Sequence, residues 1–228
     1  MKITLHRALS RVKTTEARLN SMILDLGRAS NKEGNILVDI YSNKNKTCLT
    51  TVKPEEDTKK AIQGTWDKFN SLYNELVELK KAITLSNSGV ADRDGLNTVK
   101  VCDKDYTIAE LIVLQKVIQF KKNWLTSLKS HYAYVTSIFN NKQEDVNYAL
   151  NELLKSRLSA DGKNVDKSIM DSLAKPYLEM NGYVLVDPLN VAEKIAELEK
   201  EVDAFTVESD AAFSEANALR TIDVALAN

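Results

Sequence analysis

The stretch TIAELIVLQKVIQFKKNWLTSLKSHYAYV, residues 107–135, decides the fold class. It opens on Thr107-Ile108-Ala109-Glu110, a capping box: the threonine hydroxyl accepts from the backbone at the helix start while the glutamate reaches back to the threonine N–H. Behind it Leu111, Ile118, Leu125 and Tyr132 recur at heptad intervals, with Leu114, Leu128 and Val135 in the second heptad position. A repeat of this kind buries one stripe of a helix along most of its length.

The same pattern extends outward in both directions. A first helix is predicted from near Thr4, with Leu5, Val12, Leu19 and Leu26 in heptad register, Leu9 and Ile23 beside them, and Gly27 and Ser30-Asn31 ending it. Pro54-Glu55-Glu56-Asp57 places proline and acidic residues where a helix N-terminus favours them. Ile62, Phe69, Leu76 and Ile83 then form a second stripe, broadened by Trp66, Tyr73 and Leu79. A helix over 55–85 is about 45 Å long. Between the two helices the period changes: Ile36, Val38 and Ile40 alternate, Ser42-Asn43-Lys44-Asn45 offers a turn, and Thr47, Leu49 and Thr51 follow, which predicts a β-hairpin over 36–52.

Thr98 to Cys102 reads as a short strand suited to pairing with that hairpin, after a loop from Ser86 to Asn97. Past the third helix, Asn140-Asn141-Lys142 breaks the pattern. Two shorter helices, 143–158 and 166–180, are expected around Asp161-Gly162, with Pro176 kinking or shortening the second. Tyr183 to Val186 is a short extended run. Asp187-Pro188 starts a last long helix with Val191, Ile195, Leu198, Val202 and Phe205 on one face, and Ile222 to Leu226 reads as a terminal strand or tail.

The fold class is therefore mainly α: long antiparallel helices, a helical hairpin or bundle of coiled-coil type, with a small β-hairpin insertion. Residues 1–139 are expected to form the long-helix bundle with the hairpin near 36–52. Residues 140–228 supply shorter helices and the C-terminal long helix, packed on the same bundle.

Charge is balanced over the chain, with 31 Lys and Arg against 32 Asp and Glu, which does not match a dedicated nucleic-acid coat. It is not balanced along the chain. From Asp187 onward ten acidic residues face three basic ones, a net −7, and the preceding residues carry +6. Such asymmetry suits head-to-tail subunit contact or internal docking, and a solvated polar face is the simpler reading. Two cysteines, Cys48 and Cys102, are too few for a disulfide framework, which points to a reducing compartment. No segment has the length and apolarity of a membrane span or signal-peptide core, so a cytoplasmic pool is expected and no membrane partner.

Chemistry-bearing motifs are sparse. His6 and His131 have no second ligand at helix or hairpin spacing, so no metal is expected, and glycine-rich phosphate loops, dinucleotide fingerprints and nucleophile elbows are missing from the sequence. No catalytic residue, cofactor or metal site is therefore predicted. Asp92-Arg93-Asp94-Gly95 resembles a calcium loop until the ligand positions are counted: Val90 and Val101 would fall where carboxylates belong. Glu193, Glu197 and Glu201 recur on one face of the last helix, a spacing usually solvated. Lys116, Lys121, Lys122 and Lys129 lie on the third helix beside Trp124 and Tyr132. That set reads either as a phosphate-binding surface or, more simply, as an exposed lysine face behind two core aromatics. These seven charged residues are the candidate interaction set.

The runs Ile83-Thr84-Leu85-Ser86-Asn87-Ser88 and Tyr106-Thr107-Ile108-Ala109-Glu110-Leu111 resemble an uncharacterised family of small helical proteins encoded by bacteria and bacteriophages. Val186-Asp187-Pro188-Leu189, Phe205 and Ser214-Glu215-Ala216-Asn217-Ala218 are similar to phage-encoded members with a longer C-terminal half. The resemblance implies a long helical hairpin and a bacterial or phage setting, and brings no catalytic residues. The expected function is a non-enzymatic structural or assembly protein of a phage particle, localised to virion or bacterial cytoplasm, with other protein subunits as partners and a homo-oligomer as the expected state. The alternative is a regulatory module binding nucleic acid through the lysine-bearing third helix.

Overall fold

A computed structural model describes residues 3–27, 35–88, 98–158 and 167–219. The elements run α1 (Leu5–Gly27), β1 (Asp39–Ser42), β2 (Thr47–Cys48), α2 (Glu55–Asn87), β3 (Thr98–Val101), β4 (Lys104–Thr107), α3 (Ile108–Leu158), α4 (Lys167–Asn181), β5 (Tyr183–Val186) and α5 (Val191–Leu219). The chain is mainly helical with small antiparallel strand pairs, the class that the heptad stripes and the alternating run predict. Two compact units divide it: Met1–Ile23, Phe69–Thr126 and Ile195–Asn228 form the first, Leu24–Lys68 and Ser127–Lys194 the second.

In the first unit α1 starts where its cap dictates, the Arg7 N–H donating to Thr4 Oγ1 at 3.3 Å. Val12 and Leu19 are buried as the stripe requires, but Leu5 and Leu9 stay 44% and 46% exposed. The capping box of α3 forms as read: Thr107 N–H donates to Glu110 Oε2 at 2.9 Å, and Glu110 N–H to Thr107 Oγ1 at 3.2 Å. The strand at Thr98 pairs differently from expectation. β3 joins β4, with Thr98 opposite Thr107 and Val101 opposite Lys104, because Cys102 and Asp103 both take positive φ (48° and 60°) and fold the chain straight back. Glu208 of α5 holds that turn, its carboxylate accepting the Cys102 N–H at 2.5 Å.

The second unit contains the predicted hairpin, Tyr41 opposite Cys48 and Ser42 opposite Thr47, extended by β5 into a sheet of order β2-β1-β5. β5 pairs antiparallel to β1 from Asp39 opposite Val186 to Ser42 opposite Tyr183. Its core includes Leu37, Val38 and Ile40, so the alternating run is covered on both faces. Asp39, fully buried, organises the hairpin: its carboxylate accepts the N–H groups of Ile40 (2.7 Å), Thr50 (3.0 Å) and Thr51 (3.0 Å) and the Thr51 hydroxyl (3.1 Å). A buried carboxylate is tolerable only with its lone pairs satisfied in this way.

Two further expectations are corrected. Asn140-Asn141-Lys142 does not interrupt α3, which continues to Leu158. The asparagines are exposed and each costs the helix only about 0.6 kcal/mol, while Val146 and Leu150 beyond them are buried and hold the helix on. α4 spans Lys167–Asn181 with Pro176 inside it, close to the expected 166–180 and not shortened by the proline. The last helix begins at Val191, not at Asp187-Pro188: the Asp187 carboxylate sits outside and accepts the Val191 N–H at 3.0 Å. Ser30-Asn31, Asp92 to Gly95, Asp161-Gly162 and Ile222 to Leu226 lie outside the described residues.

Gly182 connects α4 to β5 with no room for a side chain. A Cβ there would lie 2.5 Å from the Leu178 carbonyl oxygen, which itself accepts the Gly182 N–H at 2.7 Å. Gly182→Ala is expected to destabilise the protein by about 1–3 kcal/mol, seen as a lower midpoint in thermal unfolding followed by circular dichroism. Val52 is 60% exposed yet holds φ at 56°, a region that penalises a β-branched residue. Val52→Asn should therefore raise the same midpoint, with a gain of about 1 kcal/mol.

Candidate interaction surface

Within the first unit the contact between α2, α3 and α5 is built from aromatic rings and one inward lysine. Trp124 is fully buried and lies flat on Phe69, centroids 4.1 Å apart and planes within 8°. Tyr73, one turn on from Phe69, continues the stack at 6.3 Å. Lys121, one turn before Trp124, is 7% exposed; its Nζ stands 4.7 Å above the Tyr73 ring and 2.6 Å from Glu201 Oε1 on α5. Burial pushes the Tyr73 phenol well above its ordinary range, and the Glu201 carboxylate and Tyr106 add to that. The ammonium can be drawn inside because a ring face and a carboxylate both meet it.

Of the seven candidate charges, the structure thus brings Lys121 and Glu201 together and turns Lys121 away from the surface. Lys116 is exposed and Lys122 half-buried in the same unit, where Glu197 is also exposed. Lys129 and Glu193, both exposed, belong to the second unit. Trp124 is core, as the stripe demands, and Tyr132 is half-buried.

Sequence reasoning missed the outward side of α5. Ala196, Lys200, Asp203, Ala204, Val207 and Glu208 form an open face of this one helix, and Val207 is 68% exposed. The signal is present in the spacing: positions three and four apart from Ala196 mark a second stripe, on the side of the helix away from buried Val191, Leu198 and Val202. Small side chains and alternating charge conceal it from a search for large apolar residues.

In the second unit, His131, Asp39 and Cys48 are all buried, the residue types of a nucleophilic triad. Their hydrogen bonds serve the hairpin. His131 Nε2 accepts the Leu37 and Val38 N–H groups, both at 3.4 Å, and Nδ1 has no partner. Burial raises the Cys48 thiol pKa, with Thr58 and Thr51 opposing, so the reactive thiolate is disfavoured. Among the described residues no group of three or more His, Cys, Asp or Glu is placed to hold a metal ion, and no helix is long and apolar enough to cross a membrane.

Burial depresses the His131 pKa below its ordinary value, partly offset by Asp39. The unfolded chain then takes up the proton first as pH falls, so the stabilisation is complete above the unfolded pKa of about 6.5 and declines below it. Unfolding free energy should therefore drop between pH 6.5 and the lower folded pKa with a slope approaching one proton. Denaturant titrations across that range test this; a His131→Leu variant should be less stable throughout, by about 1–3 kcal/mol, and should lose that part of the slope.

The profile of one protein family, described as "Protein of unknown function (DUF1617)", matches residues 1–125, a stretch covering α1, the hairpin, α2, β3, β4 and the first part of α3. No curated protein and no solved structure matches the chain. Since the matched stretch is more than half of the 228 residues, the chain belongs to the DUF1617 family.

Proposed function

We propose that this protein is a non-enzymatic structural or assembly component of a bacteriophage particle, acting through helix-mediated self-association and contacts with other proteins. The observation that carries the reading is the incomplete burial of α1's stripe: Val12 and Leu19 are core, whereas Leu5 and Leu9 are left in solvent. An apolar helix face left exposed among the described residues offers a surface for another helix. His131 and the Asp39 carboxylate accept backbone N–H groups of the hairpin region, and burial disfavours the Cys48 thiolate, which supports a structural over a chemical use of these groups. The phage setting rests on the resemblance at Val186 to Leu189 and Ser214 to Ala218.

A regulatory module binding nucleic acid through Lys116, Lys122 and Lys129 has less support, because Lys121 of that set is engaged with Glu201 and Tyr73. Salt-sensitive retention of DNA or RNA would favour it.

Size-exclusion chromatography with light scattering should show the mass rising above that of one 25.5 kDa chain as concentration increases. Mass spectrometry of purified particles should find the protein at stoichiometric level. A strict monomer at high concentration that is also missing from particles would remove the proposal.

A further inference from the structure

The outward face of α5 mixes small apolar and acidic side chains. Ala196 and Ala204, two turns apart, and Val207 are its apolar part; Glu199, Asp203 and Glu208 against Lys200 leave the face at net −2. Alanines let a second helix approach closely, and exposed Val207 offers it a contact. Two such faces meeting each other would set like charges together, which disfavours a two-fold contact through α5.

The complementary surface is on the same chain. The N-terminal half of α1 exposes Leu5 and Leu9, with Lys13 on the same row one turn further. Between Leu5 and Lys13 the charged side chains are Arg7, Arg11 and Lys13, and the first carboxylate is Glu16. Arg11 is paired with Glu75, which leaves Arg7 and Lys13, both exposed, to supply the positive charge. Leu5 to Lys13 spans about 12 Å of helix and Ala196 to Glu208 about 18 Å, so the first fits within the second.

We propose that the outward face of α5 receives the N-terminal half of α1 from a second copy of the chain, the two helices running parallel, with Leu5 over Ala196, Leu9 between Ala196 and Ala204, and Lys13 against Asp203. This rests on the self-association reading above and specifies its surface. Because the two surfaces differ, the contact is head-to-tail, and each copy keeps one free half; repeated, it closes into a ring or continues as a filament. The net −7 of the C-terminal segment against +6 in the remainder favours this orientation.

The test uses the full chain, its Asp203→Lys and Lys13→Glu variants and their equimolar mixture, followed by sedimentation velocity at low and high salt. Both positions are exposed, and circular dichroism confirms folding. Wild-type association should weaken as salt rises. Each variant alone should associate about tenfold or more weakly, and mixing them should restore association, because an intact α5 face then meets an intact α1. Wild-type association unchanged in either variant would overturn this surface while leaving self-association standing. Tighter association of Asp203→Lys would overturn it in favour of an α5-to-α5 contact. A wild type that stays monomeric would overturn the surface and the self-association together.

Discussion

The first unit depends on the burial of Trp124 against Phe69. Among the described residues the indole is the largest fully buried side chain, and it stands on α3 where the heptad stripe meets the aromatic face of α2. A stacked pair of this kind adds about 0.5–1.5 kcal/mol beyond the area it removes from water. Its position also fixes what surrounds it. One turn away, the buried Lys121 sets its ammonium over the Tyr73 ring, and Glu201 on α5 meets it there. The last helix is thus joined to the core by an ion pair with one end buried, leaving α5's opposite side free of the core.

The second unit is organised by charge in place of aromatic burial. Asp39 converts a short run of alternating residues into an ordered hairpin by gathering backbone donors from both sides of the turn, while His131 satisfies the two N–H groups just ahead of β1. Thr51 extends the network to the start of α2 through Thr58, hydroxyl to hydroxyl at 2.8 Å. Asp39 and His131 accept from the backbone, and burial disfavours the charged forms of the Cys48 thiol and the His131 imidazole.

Much of the fold was readable because it is written in local rules. The capping box at Thr107, the heptad stripes of α1, α2 and α3, and the turn after Ser42 each follow from side-chain chemistry within a few residues. What escaped depends on distant partners. The pairing of β5 with β1 joins residues far apart in sequence, and β3 chose β4 through positive φ at Cys102 and Asp103, which neither residue type announces. α3 ran through Asn140 and Asn141 because buried Val146 and Leu150 outweigh a small helix penalty. Among the candidate charges, Lys121 is drawn inward by a ring on another helix, and the outward face of α5 carries alanines and charges that a search for large apolar residues passes over.

Under the proposed function, the working surfaces are helix sides that the described core leaves exposed. The most direct measurement is cross-linking mass spectrometry on a mixture of isotopically light and heavy chains with an amine-reactive linker, which separates links between copies from links within one. Lys13 on α1 and Lys200 on the outward face of α5 are both exposed lysines. The account predicts mixed light–heavy links between Lys13 and Lys200, lost at high salt; links confined to single chains at concentrations where the protein is otherwise expected to associate would contradict it.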